Sequence, residues 1–156
     1  MNREKEVSCV ISGSFGKFKP EIDRAIDNFR DLGVTVLAPG KGWLYIPPQR
    51  QYSRSAFFRP LHSEVGRTIK QIEDEFLDAI RNSDFLYVVN PDGFIGQTVG
   101  MEIGFAVACD KPVYSQKQIP VGLEFDPVWA EIVTSIKPLA PEEIVRQIAE
   151  RKLSKL

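Results

Sequence analysis

Two hydrophobic periods alternate along the chain. Val7–Ile11, Val34–Ala38, Phe85–Val89 and Pro112–Ser115 are short apolar runs bounded by turn residues. Runs of this length predict buried strands. Between the first two, Ile22, Ala25, Ile26, Phe29 and Leu32 recur at helical spacing, with Asp23, Arg24, Asp27, Arg30 and Asp31 on the other face. Pro20 stands near the start of that helix, where its missing N–H costs nothing, and Gly33 is a stop signal after it. Strand, loop, helix and strand make a βαβ unit, which crosses over right-handed into a parallel sheet.

The pattern continues in the same way. Thr68–Asn82 predicts a helix with Ile69, Ile72, Phe76, Leu77, Ala79 and Ile80 on its apolar side. Thr98–Cys109 predicts a helix of small residues. Asp126–Val133 predicts another, followed by a short strand at Ser135–Ile136. Pro141 opens a last helix with Ile144, Val145 and Ile148 on one face and Arg151-Lys152 at its end, suited to a helix C-terminus. The expected architecture is α/β: a single-domain Rossmann-like (flavodoxin-like) three-layer sandwich over residues 1–156, with a mainly parallel sheet of four or five strands.

Composition narrows the function classes. The chain has 156 residues and a net charge of −1, so no global charge points to a nucleic acid polymer or a membrane surface. No apolar run is long enough to span a bilayer, and the charged N-terminus lacks a signal core, so a cytoplasmic location is expected. Cys9 and Cys109 fit buried free thiols. A single His62 and two distant cysteines give no zinc spacing, so neither a metal nor a cofactor is expected.

Residues 39–67 break the periodicity. Lys41, Arg50, Arg54, Arg59 and Arg67 face a single acid there, Glu64, with Trp43, Tyr45, Tyr52, Phe57 and Phe58 interleaved. A loop this long inside a compact domain is usually functional or disordered, and its aromatic content argues against disorder. It is either a cover for a site or a surface or oligomer contact.

The candidate chemistry sits at Asn90–Ala106, where a strand, a glycine-bearing loop and a helix meet. Parallel sheets build ligand sites at such turns. If Gln97 or Thr98 caps the helix, Glu102 falls in its first turn, where free N–H groups and the dipole favour an ionised carboxylate. Such a carboxylate could attack a sugar anomeric carbon, or it could simply complement the dipole. Spacing alone leaves both open. Gly93 and Gly96 allow close ligand approach, while Gly100 and Gly104 leave one helix stripe bare. Ser12-Gly13-Ser14, after the first strand, could hold a phosphate or a sugar hydroxyl, or be a plain connection.

Gly100-Met101-Glu102-Ile103-Gly104-Phe105-Ala106, followed by Lys111-Pro112-Val113, resembles the nucleoside 2-deoxyribosyltransferase superfamily. The helix leading into Ser83-Asp84 and the next strand resembles it too. Ser12-Gly13-Ser14-Phe15 resembles the first-strand loop of its hydrolase branch, the deoxynucleoside 5′-monophosphate N-glycosidases. The resemblance implies a Rossmann-like homodimer or higher homo-oligomer acting on a small-molecule nucleoside or nucleotide. It implies cleavage or transfer at the N-glycosidic bond, with Glu102 as the nucleophile and a glycosyl-enzyme intermediate. Ser12, Gly13, Ser14, Phe15, Asp92, Gly96, Thr98 and Met101 would line the substrate. Transferases carry an aspartate six residues before the nucleophile, where this chain has Gly96. The glycosidases carry one eight residues before the Ser-Asp pair, where it has Phe76. Asp92 is the nearest substitute, with Asp74 and Asp78 behind it. Without such an acid, a nucleotide-binding or sensing module without catalysis is the competing expectation.

Overall fold

A computed structural model describes residues 6–41 and 61–155 of the chain. Five parallel strands form one sheet in the order β2-β1-β3-β4-β5. They are β1 Ser8–Gly13, β2 Thr35–Ala38, β3 Phe85–Val89, β4 Val113–Ser115 and β5 Lys137–Pro138. The helices are α1 Phe15–Asp31, α2 Ile69–Asn82, α3 Gln97–Ala108, α4 Pro127–Thr134 and α5 Pro141–Ser154. The three-layer α/β fold expected from the sequence is the one observed. Its strand order is that of flavodoxin-like folds, which change direction between β1 and β3 and bind ligands outside the carboxyl ends there.

Strand alternation divides the core in two. Cys9, Ile11, Phe85, Tyr87 and Val89 face one side and pack with Ile22, Ile26 and Phe29 of α1 and Ile144 and Ile148 of α5. Val10, Leu86 and Val88 face the other side and meet Ile80 of α2, Ile103 and Ala106 of α3 and Val133 of α4. Both faces of β3 are buried, as a central parallel strand requires.

Several boundaries move. β1 runs on through Ser12 and Gly13, because both pair in register with Val88 and Val89 of β3. The small-residue loop expected there is therefore shorter. One helical turn precedes Pro20, and Phe18 breaks it with φ −125° and ψ 27°. Pro20 explains why the turn does not run on unbroken, since it has no N–H to donate and its ring crowds the carbonyl four residues before it. Gly33 ends α1 at φ +80°, a conformation that glycine adopts freely. Thr68 caps α2 in a box, its Oγ1 accepting from Gln71 N at 3.0 Å while Gln71 Oε1 accepts from Thr68 N at 2.9 Å. Asp126 caps α4 through Val128 N at 2.8 Å. β5 forms at Lys137–Pro138, two residues after the expected strand, because Ser135 and Ile136 still bond back into the last turn of α4.

The two cysteines are free. Cys9 lies in the core, and burial first, with Asp84 second, pushes its thiol to about 12, so it is unreactive at neutral pH. Among the described residues no helix is long and apolar enough to cross a membrane. Of the long basic and aromatic segment, residues 42–60 lie outside the described residues, and with them Trp43, Tyr45, Arg50, Arg54 and Arg59.

Candidate active site

Strand alternation decides where Ser12 points. Val10 faces the α2–α3–α4 layer, so Ser12, two residues on, faces it too. Its hydroxyl donates to Glu102 Oε1 at 2.7 Å, and both side chains are buried. That bond joins the carboxyl end of β1 to α3 across the point where the strand order reverses.

Glu102 is not in the first turn of α3. Gly96 is the N-cap, so Glu102 is the sixth helical residue and lies in the second turn. The exposed N–H groups of the helix start are out of its reach, and the ionised state expected from them does not follow. Glu102 is 4% exposed and packs among Val99, Ile103 and Ala106 on the buried side of α3. Burial holds its carboxyl well above the usual carboxylate range, the neighbouring charge of Glu73 raises it further, and the Ser12 hydroxyl opposes both.

Glu73 is the residue that sequence reasoning missed. It lies on α2, and its carboxyl is within hydrogen-bonding distance of that of Glu102. Burial raises its proton affinity, Asp74 adds to this, and the bond from Glu102 opposes it. Glu73 Oε1 is buried, and no hydroxyl or N–H group of the described residues donates to it. Two carboxyls in contact need a proton on one of them. A signal for Glu73 was present in the chain. Ile69, Phe76 and Ile80 form an apolar stripe on α2, and Glu73 occupies the stripe position between Ile69 and Phe76.

The acids expected near the site are engaged elsewhere. Asp74 pairs with Lys70, and Asp78 pairs with Arg81 at 3.0 Å, both on the exposed side of α2. Asp92 is exposed, and its Oδ1 accepts from Phe94 N at 3.1 Å in a local turn.

The other expected substrate positions divide. Gly13 is buried, and a Cβ there would lie 3.1 Å from Val89 O and 3.2 Å from Ile22 Cδ1, so this glycine lets β1 pack closely. Ser14 is the N-cap of α1, and Phe15 packs against the α1-side core. Gly96, Thr98 and Met101 are exposed around the start of α3. Of the expected set, Ser12 and Glu102 are brought into contact. Gly100 has a packing reason, since a Cβ there would lie 2.9 Å from Trp129 Cζ3. Gly104 has none, being exposed with no atom within 4 Å of such a Cβ among the described residues.

The β3–α3 loop is fixed by Asn90, which is fully buried at the end of β3. Asn90 Nδ2 donates to Gly93 O and Lys117 O, and its Oδ1 accepts from Lys117 N, each at 3.0 Å. One side chain thus binds the β3–α3 loop to the segment after β4. At the outer edge, the Lys17 ammonium lies 5.6 Å from the centre of the exposed Phe94 ring.

The arrangement is a pair of carboxyls, one deeply buried and one partly so, beside a serine hydroxyl at the strand ends. Such a pair can supply a nucleophile or base together with an acid.

The sequence matches no protein-family model and no curated protein. Solved structures share its fold. A conserved protein from Enterococcus faecalis V583 aligns over 94% of this chain and 99% of its own, at 14% identity and a TM-score of 0.59. The CMP N-glycosidase BcmB of Clostridium botulinum aligns over 90% of this chain and 97% of its own, at 14% identity and a TM-score of 0.50. At this identity the likeness is one of fold.

Proposed function

We propose that the protein cleaves the N-glycosidic bond of a nucleoside or nucleotide. Glu102 attacks the anomeric carbon as the base leaves, giving a glycosyl-enzyme intermediate, which water or a second base then resolves. The observation that carries this reading is the Glu102 carboxyl, buried at the carboxyl ends of parallel strands, oriented by Ser12 and in contact with a second carboxyl. A deeply buried carboxyl with no cationic partner among the described residues is costly for stability alone, which favours a chemical use. The fold shared with a CMP N-glycosidase supports the choice of bond. Sites at the carboxyl ends of parallel strands take small-molecule ligands, which suits a nucleoside or nucleotide.

The test is release of free base from a panel of nucleosides and nucleotides, followed by chromatography. Turnover of a panel member, abolished in Glu102→Ala with the fold intact, supports the reading. Tight binding of a member with no turnover of any would replace it with a binding or sensing module.

A further inference from the structure

The contact between Glu73 and Glu102 implies more than a second acid near the first, provided that Glu102 is the nucleophile proposed above. Their carboxyls meet where α2 packs on α3. Glu102 is the more deeply enclosed of the two and receives the Ser12 hydroxyl on Oε1. Glu73 is half-buried, with Oε1 sealed from solvent and without a donor among the described residues. Asp74, next to Glu73 on α2 and itself bonded to Lys70, adds a further negative charge. Among the described residues, the groups that shift the two carboxyls are each other, Asp74 and the Ser12 hydroxyl, and none of these is cationic, which disfavours a doubly ionised pair.

We infer that Glu73 and Glu102 share one proton, which rests on Glu102 in the free protein and passes to Glu73 when substrate binds. The transfer does two things at once. It ionises the nucleophile and it loads a proton donor. The Glu102 oxygen then bonds to the anomeric carbon while the carbon–nitrogen bond breaks. The electron pair of that bond goes to the base nitrogen system, which takes the proton from Glu73. In the second half, the Glu73 carboxylate removes a proton from water, the water oxygen bonds to the anomeric carbon, and Glu102 leaves as a carboxylate. One proton is back on the pair, and the net change is consumption of one water. Glu73 is thereby a catalytic residue, and the resting protein is held with its nucleophile neutral.

Two measurements on the full chain decide this. The first needs no turnover: carbon-13 NMR of glutamate carboxyls, titrated with pH. The expected result is a coupled pair of titrations, the upper one above the ordinary carboxylate range, with that upper midpoint falling by more than about one pH unit in Glu73→Gln as the like charge is removed. Two independent titrations in the ordinary range, or an upper midpoint unmoved in Glu73→Gln, would overturn the shared proton. The second compares leaving groups. Glu73→Gln is expected to slow base release from an ordinary nucleotide by about 10²–10⁴-fold. An N7-methylated purine nucleotide, whose base departs without protonation, should be cleaved nearly as fast by the variant as by the parent. Equal losses on both substrates would overturn the donor role and leave Glu102 as nucleophile. Absence of turnover by the parent protein would overturn the N-glycosidic reading and the donor step with it, and the titration would still decide the shared proton.

Discussion

Ser12 Oγ donates to Glu102 Oε1 at 2.7 Å, across 90 residues of sequence and between two buried side chains. It is the hydroxyl that holds the central carboxyl against the end of β1. Ser12→Ala leaves a buried carboxyl oxygen without its donor, a loss of about 1–3 kcal/mol in urea unfolding. The same hydroxyl lowers the proton affinity of Glu102, so its removal raises that affinity further. The acid limb of the pH profile for base release should therefore move to higher pH. A limb that stays in place would show that Glu102 does not set it.

Glu102→Gln should change how stability depends on pH. A carboxyl whose folded-state pKa is raised holds its proton more tightly in the fold than in the unfolded chain. Its stabilising contribution is full below the ordinary carboxylate pKa and is lost as pH climbs through the raised value. Glutamine carries no such proton. Relative to the parent, the variant should gain in melting temperature between pH 5 and pH 8. A constant difference across that range would contradict the burial argument.

The two glycines of α3 should respond to alanine with opposite signs. Gly100→Ala places a methyl group 2.9 Å from Trp129 Cζ3 and 3.1 Å from Cη2, both on a rigid ring. The overpacking should cost about 1–3 kcal/mol, more than alanine's helix propensity returns. Gly104→Ala meets no described atom within 4 Å and should stabilise by up to about 1 kcal/mol. Chemical denaturation of both variants checks the pair.

Asn90→Ala removes three hydrogen bonds, one within the β3–α3 loop to Gly93 and two that join this loop to Lys117. Stranded backbone groups in a buried setting should cost about 2–4 kcal/mol in total. Hydrogen exchange should speed up selectively at Gly93 and Lys117, whose amides the clamp encloses. Uniform exchange across the sheet would mean that the residue supports the core and not the loop.

Much of the fold could be read from the chain. β3 has the bounds its apolar run predicts, α2 starts directly after its Thr68 cap, and α5 starts at Pro141, whose missing N–H suits the first helical position. The errors lie where pairing overrides local signals. Ser12 and Gly13 look like loop residues and are strand residues, because β3 offers them partners. The candidate site was legible in part. Glu102 and Ser12 stand out for their place in the chain, yet their contact depends on side-chain direction and long-range packing. Glu73 was hidden by its company: among Glu73, Asp74 and Glu75 it reads as part of a solvated face, and only its place in the Ile69–Phe76 stripe marks it as different. The helix position of Glu102 was misjudged because Gly96, with no side chain to cap, still serves as the N-cap.

The division of the core into two faces has a practical side. The carboxyl pair lies in the layer of α2, α3 and α4, while α1 and α5 pack on the opposite side of the sheet. Those two helices form a chassis that can be rebuilt for solubility, thermal tolerance or fusion to another protein with little effect on the carboxyl pair. The tolerance should end at Gly13, which lies against Ile22 and Val89 immediately after the serine that steers Glu102. A side chain introduced there would push on the Ser12–Glu102 contact from behind.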